Sequence, residues 1–277
     1  MMFRIIFFLV NLILFLGKLY AQELYVFSNP ASNIPTRSLM IKGMGKTMVS
    51  YHNQEREYRL APEIQAGIHK NLMVAGAVSF SDMFFQDEQE FESFRLYAKY
   101  RFLSKDDIHR HFRMALHTSY VWSKNPLVYQ ELNTEGDNTG WQSGLIATSL
   151  INKLAISGGL SYMQLQRGKR KINFGFPFSE NALSYNLSAG YLLFPFNYKN
   201  YQQLNVNLYC ELLGQQNTDL NAGFLDVAPA IQFIITSKMR INAGARYQLA
   251  SSAHRMAEQA YYLSMEYYIL NFFKKKT

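Results

Sequence analysis

Residues 183–193, LSYNLSAGYLL, alternate apolar and polar side chains, with leucine, alanine and tyrosine at the odd positions and serine, asparagine and glycine at most even ones. Residues 239–249, MRINAGARYQL, repeat the pattern, with Arg240, Asn242, Arg246 and Gln248 on the polar side. A period of two places successive side chains on opposite faces of a β-strand. The pattern therefore predicts strands with one wet face and one apolar face, which is typical of transmembrane β-barrels.

The same alternation recurs along the chain and predicts twelve strands. We place them near residues 36–48, 58–69, 71–83, 91–103, 110–123, 140–151, 153–165, 182–194, 202–213, 224–236, 238–249 and 259–273. Links after even-numbered strands are brief, whereas links after odd-numbered strands are longer and more polar. The predicted fold class is all-β: a closed, antiparallel, up-and-down transmembrane barrel with short periplasmic turns and longer extracellular loops.

Five residues test this register. Trp122 and Trp141 are expected at the outer membrane interface, and Cys210 on the lipid-facing side. Pro62 and Pro229 fall inside predicted strands, where proline removes a ladder hydrogen bond. A bulge near the outer rim is one way in which a closed barrel accommodates them.

The N-terminal residues predict export. Arg4 precedes a mostly apolar run, residues 5–16, and residues 20–22 form a cleavage region. That run is shorter than the ~20 apolar residues of a spanning helix, so residues 1–21 are interpreted as a signal peptide. Residues 22–35 are expected to form a periplasmic segment or a small plug, and residues 36–277 the transmembrane β-barrel domain.

Composition agrees with a barrel. Aromatic residues make up 15% of the chain, and no long apolar run follows the N-terminal one, which excludes a helical membrane protein. The formal charge is +8, which we assign to a basic lumen and to the tail Lys274–Lys276. An exported chain without a basic stripe of helical spacing is not expected to bind nucleic acid.

Three stretches resemble a family of uncharacterised outer-membrane β-barrels of Bacteroidota. They are ELYVFSNPASN at residues 23–33, EGDNTGWQ at residues 135–142 and SAGYLLFP at residues 188–195. The resemblance extends over most of the chain after the signal peptide. It implies an outer-membrane location and carries no site residue.

Alternation sorts a set of charged residues to the lumen side of the predicted strands. They are Glu63, Arg95, Lys99, Arg101, Arg113, His117, Glu211, Arg240, Arg246 and Glu266. Because basic residues outnumber acidic ones, the leading hypothesis is a narrow channel or passive transporter for small, anionic solutes. The alternative is a non-conducting structural or docking barrel, since twelve strands lie between a filled lumen and an open one.

Other chemistry has weaker support in the sequence. A phospholipase-like enzyme is a distant alternative, because His117 and Ser119 share a strand face but point inward, away from lipid. The predicted outer loops contain the acidic residues Asp87, Glu88, Glu90, Glu131, Glu135 and Asp137. They are interpreted as solvated loop residues. The alternative is that they bind divalent cations that bridge lipid phosphates. The sequence predicts no catalytic, metal or cofactor site. The expected partners are outer-membrane lipids and, through the aromatic final strand, the barrel-assembly machinery.

Overall fold

The computed structural model describes residues 25–51, 54–84, 86, 88–107, 110–166, 172, 175–196, 203–236 and 238–273. The predicted signal peptide, Asp87 and the tail Lys274–Lys276 lie outside them. Within these residues, the strands are β1 Leu39–Val49, β2 Arg56–His69, β3 Leu72–Ser81, β4 Glu90–Asp106, β5 Arg110–Ser123, β6 Gly140–Ile151, β7 Leu154–Leu165, β8 Asn181–Phe194, β9 Asn205–Asn217, β10 Gly223–Ile235, β11 Met239–Ser251 and β12 Gln259–Ile269.

The strands close into one antiparallel barrel. Each strand pairs with its neighbours in sequence, and β1 pairs with β12. The predicted all-β fold of twelve strands is therefore confirmed. None of the described residues forms a helix that is long and apolar enough to cross a membrane.

Burial in this barrel is the reverse of that in a soluble protein. Large apolar side chains such as Leu60, Leu187 and Leu263 are exposed on the outer face, while Arg59 and Glu211 are buried inside. A continuous exposed apolar surface is costly in water and favourable in hydrocarbon. The strands have at least ten residues, and a tilted strand needs about 9–11 to cross a bilayer. The outer face therefore suits a membrane.

The links differ between the two rims as predicted, with one exception. The inner rim carries short turns such as residues 152–153, and the outer rim carries long loops such as residues 124–139. The exception flanks β9, where the inner link spans residues 195–204 and the outer link only 218–222.

This exception arises because β9 extends beyond its predicted end at Leu213. Gly214 resembles a strand terminator in sequence, but it pairs with Tyr185 on β8 and the strand continues to Asn217. The Tyr185 ring lies over Gly214, and a Cβ atom at this position would be only 2.2 Å from the ring. Glycine therefore leaves the space that the ring occupies above β9. The last strand, in contrast, ends at Ile269 rather than Phe273, and Asn271 adopts φ 57° in the following turn.

The two strand prolines do not mark bulges. On one side, Pro62 pairs in register with Gly43, and Pro229 pairs in register with Cys210. On the other side, the pairing to the neighbouring strand is interrupted at each proline and resumes in the same register. The register shift between β10 and β11 lies between Leu225 and Asp226 instead, where Leu249 of β11 is the extra residue. Both prolines point outward, where a lost N–H bond leaves the lumen network intact.

The remaining register predictions are confirmed. Trp122 and Trp141 lie exposed on the outer face beside the long loops, and Trp141 contacts Tyr120 with ring centroids 4.7 Å apart. Cys210 is a free thiol on the exposed face. The alternation that defines the strands therefore also sorts the lumen side chains.

Placing a charge on the outer face should destabilise the inserted barrel. Leu187 lies midway along β8 and is 55% exposed, so Leu187→Arg should lower the free energy of unfolding by about 2–4 kcal/mol. Urea unfolding in phospholipid vesicles, followed by heat-modifiable electrophoretic mobility, measures the change. The matched control is Ser184→Arg, which faces the lumen cavity and should cost less; equal losses would contradict the assigned faces.

Candidate functional site

A row of six side chains, five of them charged, crosses six neighbouring strands at one level of the lumen wall. Direct cross-strand pairing sets this level, and we call the set the charge row. Glu266 lies between two cations, with Arg240 Nη1 at 3.4 Å and Lys42 Nζ at 3.9 Å. From β11 to β4, the row reads Arg240, Glu266, Lys42, Glu63, Ala77 and Arg95.

The charge row is less basic than the sequence predicted. Its small member, Ala77, lets Arg95 on β4 reach Glu63 on β2 and form an ion pair. The row therefore holds three cations and two carboxylates in alternation, a net charge of about +1. On the opposite side of the same cavity, the wall carries neutral polar groups from Gln142, Ser161 and Asn186.

Residues 25–35 lie inside the inner half of the barrel, and we call them the inner segment. Backbone N–H groups of this segment bind Glu211 on β9 and Thr148 on β6. Lys99 Nζ donates to the carbonyls of Pro30 and Ser32, and Arg113 Nη1 donates to Ser32 Oγ. The inner segment is thus bound by lumen side chains on several strands.

The outer half of the lumen is narrowed by residues 124–139, which we call the mouth loop. The Gln215 side chain on β9 binds both backbone groups of Leu132. It accepts a hydrogen bond from the Leu132 N–H at 2.8 Å and donates one to the Leu132 carbonyl at 2.7 Å. Asn217 donates to the carbonyl of Gln130 at 3.0 Å. These bonds explain why β9 continues past Gly214, since its last residues hold the mouth loop.

Four ionic side chains fasten one side of the mouth loop. Arg255 donates to Glu131 Oε2 at 2.9 Å and to Asp226 Oδ1 at 2.7 Å, while Arg246 pairs with both carboxylates. Arg255 also lies 4.0 Å from the centroid of the Phe224 ring. Burial alone would raise the pKa of Glu131, but the two guanidinium groups outweigh burial and lower its pKa to about 2.

A second ionic cluster fastens the other side of the mouth loop. Arg59 pairs with Asp137 of the loop and donates to Glu92 Oε2 on β4 at 2.7 Å. Asn125 donates to the other oxygen of Glu92 at 2.7 Å. The interpretation of Glu131 and Asp137 as solvated loop residues was therefore wrong: both fold into the mouth and form ion pairs.

A cavity of about 330 Å³ lies in the lumen between the inner segment and the mouth loop. Its wall includes members of the charge row, its inner boundary includes Phe27 and Ser28, and its outer boundary includes Glu131 and Leu132. Charged and neutral polar groups thus surround one space near the middle of the barrel.

His117 faces this cavity rather than lipid. Its Nε2 lies 3.0 Å from Ser161 Oγ on β7, and its ring stacks on Tyr97 at 5.8 Å. Ser119, which the sequence placed on the same face, is buried in the same wall. Within the described residues, no group of three or more His, Cys, Asp or Glu side chains could hold a metal ion.

The ten residues selected from sequence occupy three environments. The cavity wall contains Glu63, Arg95, Lys99, His117, Arg240, Arg246 and Glu266. Glu211 and Arg113 contact the inner segment, whereas Arg101 lies near the inner rim and donates to the carbonyl of Lys70. Sequence reasoning missed the charged partners Lys42, Arg59, Glu92, Asp226 and Arg255.

No protein-family model matches the chain, and no curated protein sequence matches it. Solved structures do share the fold. An outer membrane channel from Pseudomonas putida F1 matches with a TM-score of 0.55 and 11% identity, covering 88% of this chain and all of that one (100%). The NanC porin matches with a TM-score of 0.50 and 11% identity, covering 83% of this chain and 98% of its own. At these identities the likeness concerns the fold, which is that of outer-membrane β-barrels.

Removing Arg255 should loosen the mouth loop at neutral pH and make it less sensitive to acid than the native loop. In the native chain, stabilisation by ionised Glu131 is fully present above the ordinary carboxyl pKa of about 4.3 and is lost progressively as pH falls from there through about 2. Protection of residues 128–138 should therefore fall between pH 7 and pH 3. In Arg255→Gln the pKa of Glu131 rises toward its ordinary value, so protection should already be lower at pH 7 and should fall less between pH 7 and pH 3.

Hydrogen–deuterium exchange, corrected for the intrinsic pH dependence of exchange, measures this protection. Arg56→Gln is the control, because Arg56 is an exposed arginine at the outer end of β2. Equal protection in native and Arg255→Gln chains at both pH values would contradict the role given to the ionic cluster.

Proposed function

We propose that this protein is an outer-membrane channel for small polar solutes, with a weak preference for anions. The observation that carries the proposal is the polar cavity of about 330 Å³ between the inner segment and the mouth loop. A space of this size accepts ions and small metabolites rather than polymers. The inner segment and the mouth loop make the path narrow.

Buried polar atoms on the cavity wall support passage of polar species. Among the described residues, the Tyr97 hydroxyl, His117 Nδ1 and Arg240 Nε have no hydrogen-bond partner. All three residues line the cavity. Buried polar atoms normally meet a partner, so these atoms are suited to bind water or a solute in transit.

The charge row is expected to set ion preference. Arg95→Glu changes its net charge from about +1 to about −1. In water, a unit charge at ~6 Å is worth about 0.7 kcal/mol, so two charge units should change the permeability of each ion by up to about tenfold, down for anions and up for cations. The anion-to-cation permeability ratio should therefore fall by up to about a hundredfold. The reversal potential across a KCl gradient in planar bilayers measures this ratio, at low salt because ions screen the effect.

The exchanged pair Glu63→Arg/Arg95→Glu is the matched control for this experiment. It keeps the net charge of the row and the ion pair between β2 and β4. Only the positions of the two charges are exchanged, because the arginine now lies on β2 and the glutamate on β4. The control should keep the native reversal potential. An unchanged reversal potential in Arg95→Glu would show that the charge row does not line the ion path.

A non-conducting docking barrel is the second candidate, and the dense contacts of the inner segment and mouth loop favour it. It predicts no conductance in the native chain or in a chain without the inner segment. The orientation of His117 toward the cavity disfavours a lipid hydrolase, since membrane lipid lies on the other side of the wall. Membrane lipids contact the outer face in either case, and the aromatic β12 suits recognition by the barrel-assembly machinery.

A further inference from the structure

Glu211 forms an uncommon contact with the inner segment. This fully buried carboxylate (0% exposed) accepts the backbone N–H groups of Val26 at 3.0 Å, Phe27 at 2.9 Å and Ser28 at 2.9 Å. Ser188 Oγ donates to the same carboxylate at 2.9 Å. Three successive N–H groups converging on one anion form a concave anion-binding backbone of the kind called a nest.

The nest replaces the cation that a buried carboxylate usually needs. Among the described residues, no lysine, arginine or histidine lies within ion-pair distance of Glu211. A buried charge without a partner is strongly disfavoured, and hydrogen bonds to an ionised acceptor are stronger than neutral ones. Glu211 is therefore suited to hold a peptide backbone, and its contacts with the inner segment compensate for its burial.

Other wall groups bind the rest of the same backbone. The N–H of Ala31 donates to Thr148 Oγ1 at 2.9 Å. Lys99 Nζ donates to the carbonyl oxygens of Pro30 at 2.7 Å and Ser32 at 2.6 Å. The wall thus supplies acceptors for N–H groups and a donor for carbonyls along one stretch of backbone, which bends at residues 26–28 and 31.

Two side-chain sites add selectivity to this backbone recognition. Phe27 packs edge-on against Tyr262 with centroids 4.7 Å apart, and a Cβ atom at Gly244 would lie 2.8 Å from the Phe27 ring. Ala31 is fully buried against Ala115 and Ile146. The site therefore fits an aromatic residue and, four positions later, a residue no larger than alanine.

We propose that the inner half of the lumen is a binding site for a short peptide in a bent conformation, and that residues 25–33 are its tethered occupant. The ligand class is a short peptide that carries an aromatic residue and, four positions later, a small residue. The consequence for permeation, a narrower path while the segment is bound, rests on the proposed channel function; the binding site itself does not.

A synthetic peptide tests the site directly. In the full chain, residues 25–32 are replaced by a glycine–serine sequence of equal length, and folding is verified by heat-modifiable mobility. A labelled peptide of residues 25–33, YVFSNPASN, should bind this variant saturably in fluorescence anisotropy. The same peptide with Phe27 and Ala31 exchanged has the same composition and should bind at least tenfold more weakly.

Wall variants show whether the peptide occupies the proposed site. Adding Glu211→Gln should weaken peptide binding at least tenfold, whereas Glu90→Gln, an exposed carboxylate at the outer rim, should leave it unchanged. Absence of saturable binding, equal binding of the exchanged peptide, or equal binding to Glu211→Gln would overturn the proposal.

A disulfide provides a second test in the native chain, in case the glycine–serine variant does not fold. Ser28 Oγ and Ser188 Oγ lie 2.9 Å apart, so Ser28→Cys/Ser188→Cys in a Cys210→Ser background should cross-link under mild oxidation. Ser28→Cys/Ser264→Cys is the control and should not cross-link. Failure of the first pair to cross-link, or equal cross-linking of both pairs, would overturn the proposal.

Bilayer recordings separate failure of the site from failure of the channel. Peptide binding together with a block of conductance in the glycine–serine variant supports both proposals. Peptide binding without conductance in any variant supports the binding site and contradicts the channel. Conductance without peptide binding or cross-linking supports the channel and overturns the binding site.

Discussion

Closure of the sheet is the constraint on which the rest of this structure depends. Because β1 pairs with β12, alternate side chains of every strand must point into one enclosed space. Outward positions can be uniformly apolar, since they need only match hydrocarbon. Inward positions must satisfy one another's hydrogen bonds and charges within the lumen, so its chemistry is decided by contacts across and between strands.

Three solutions to that constraint are visible at successive depths. Near the middle, charges of opposite sign sit side by side on neighbouring strands, as Glu266 does between Arg240 and Lys42. In the outer half, Glu131 and Asp137 of the mouth loop form ion pairs with arginines of the barrel wall. In the inner half, backbone N–H groups of the inner segment compensate for the burial of Glu211. The cavity is the space that these three arrangements leave between them.

The sequence was sufficient for what depends on alternation. It placed the twelve strands, the inward faces of Arg95 and Arg240, and the outward faces of Trp122 and Cys210. The same alternation could also have identified Arg59, which is in phase with Glu63 on β2, and Lys42, which is in phase with Met40 on β1. Including such residues, together with Asp226 on β10, would have predicted a more balanced lumen.

Other features could not be predicted because no periodicity places loops in a lumen. Glu131, Asp137 and Arg255 lie in links whose sequence indicates only polarity, and their pairing depends on where the barrel mouth brings three links together. The inner segment was expected to be either periplasmic or a small plug. The sequence cannot show that Glu211 would bind three of its N–H groups, since the residues are far apart along the chain.

Solute uptake into proteoliposomes tests the central claim, a narrow polar path through the lumen, most directly. A series of neutral polar solutes of increasing size should enter vesicles that contain the native chain only below a size limit set by the cavity of about 330 Å³. Replacement of the inner segment by glycine and serine should raise the rate and the limit. Exclusion of every solute by both forms would contradict the account.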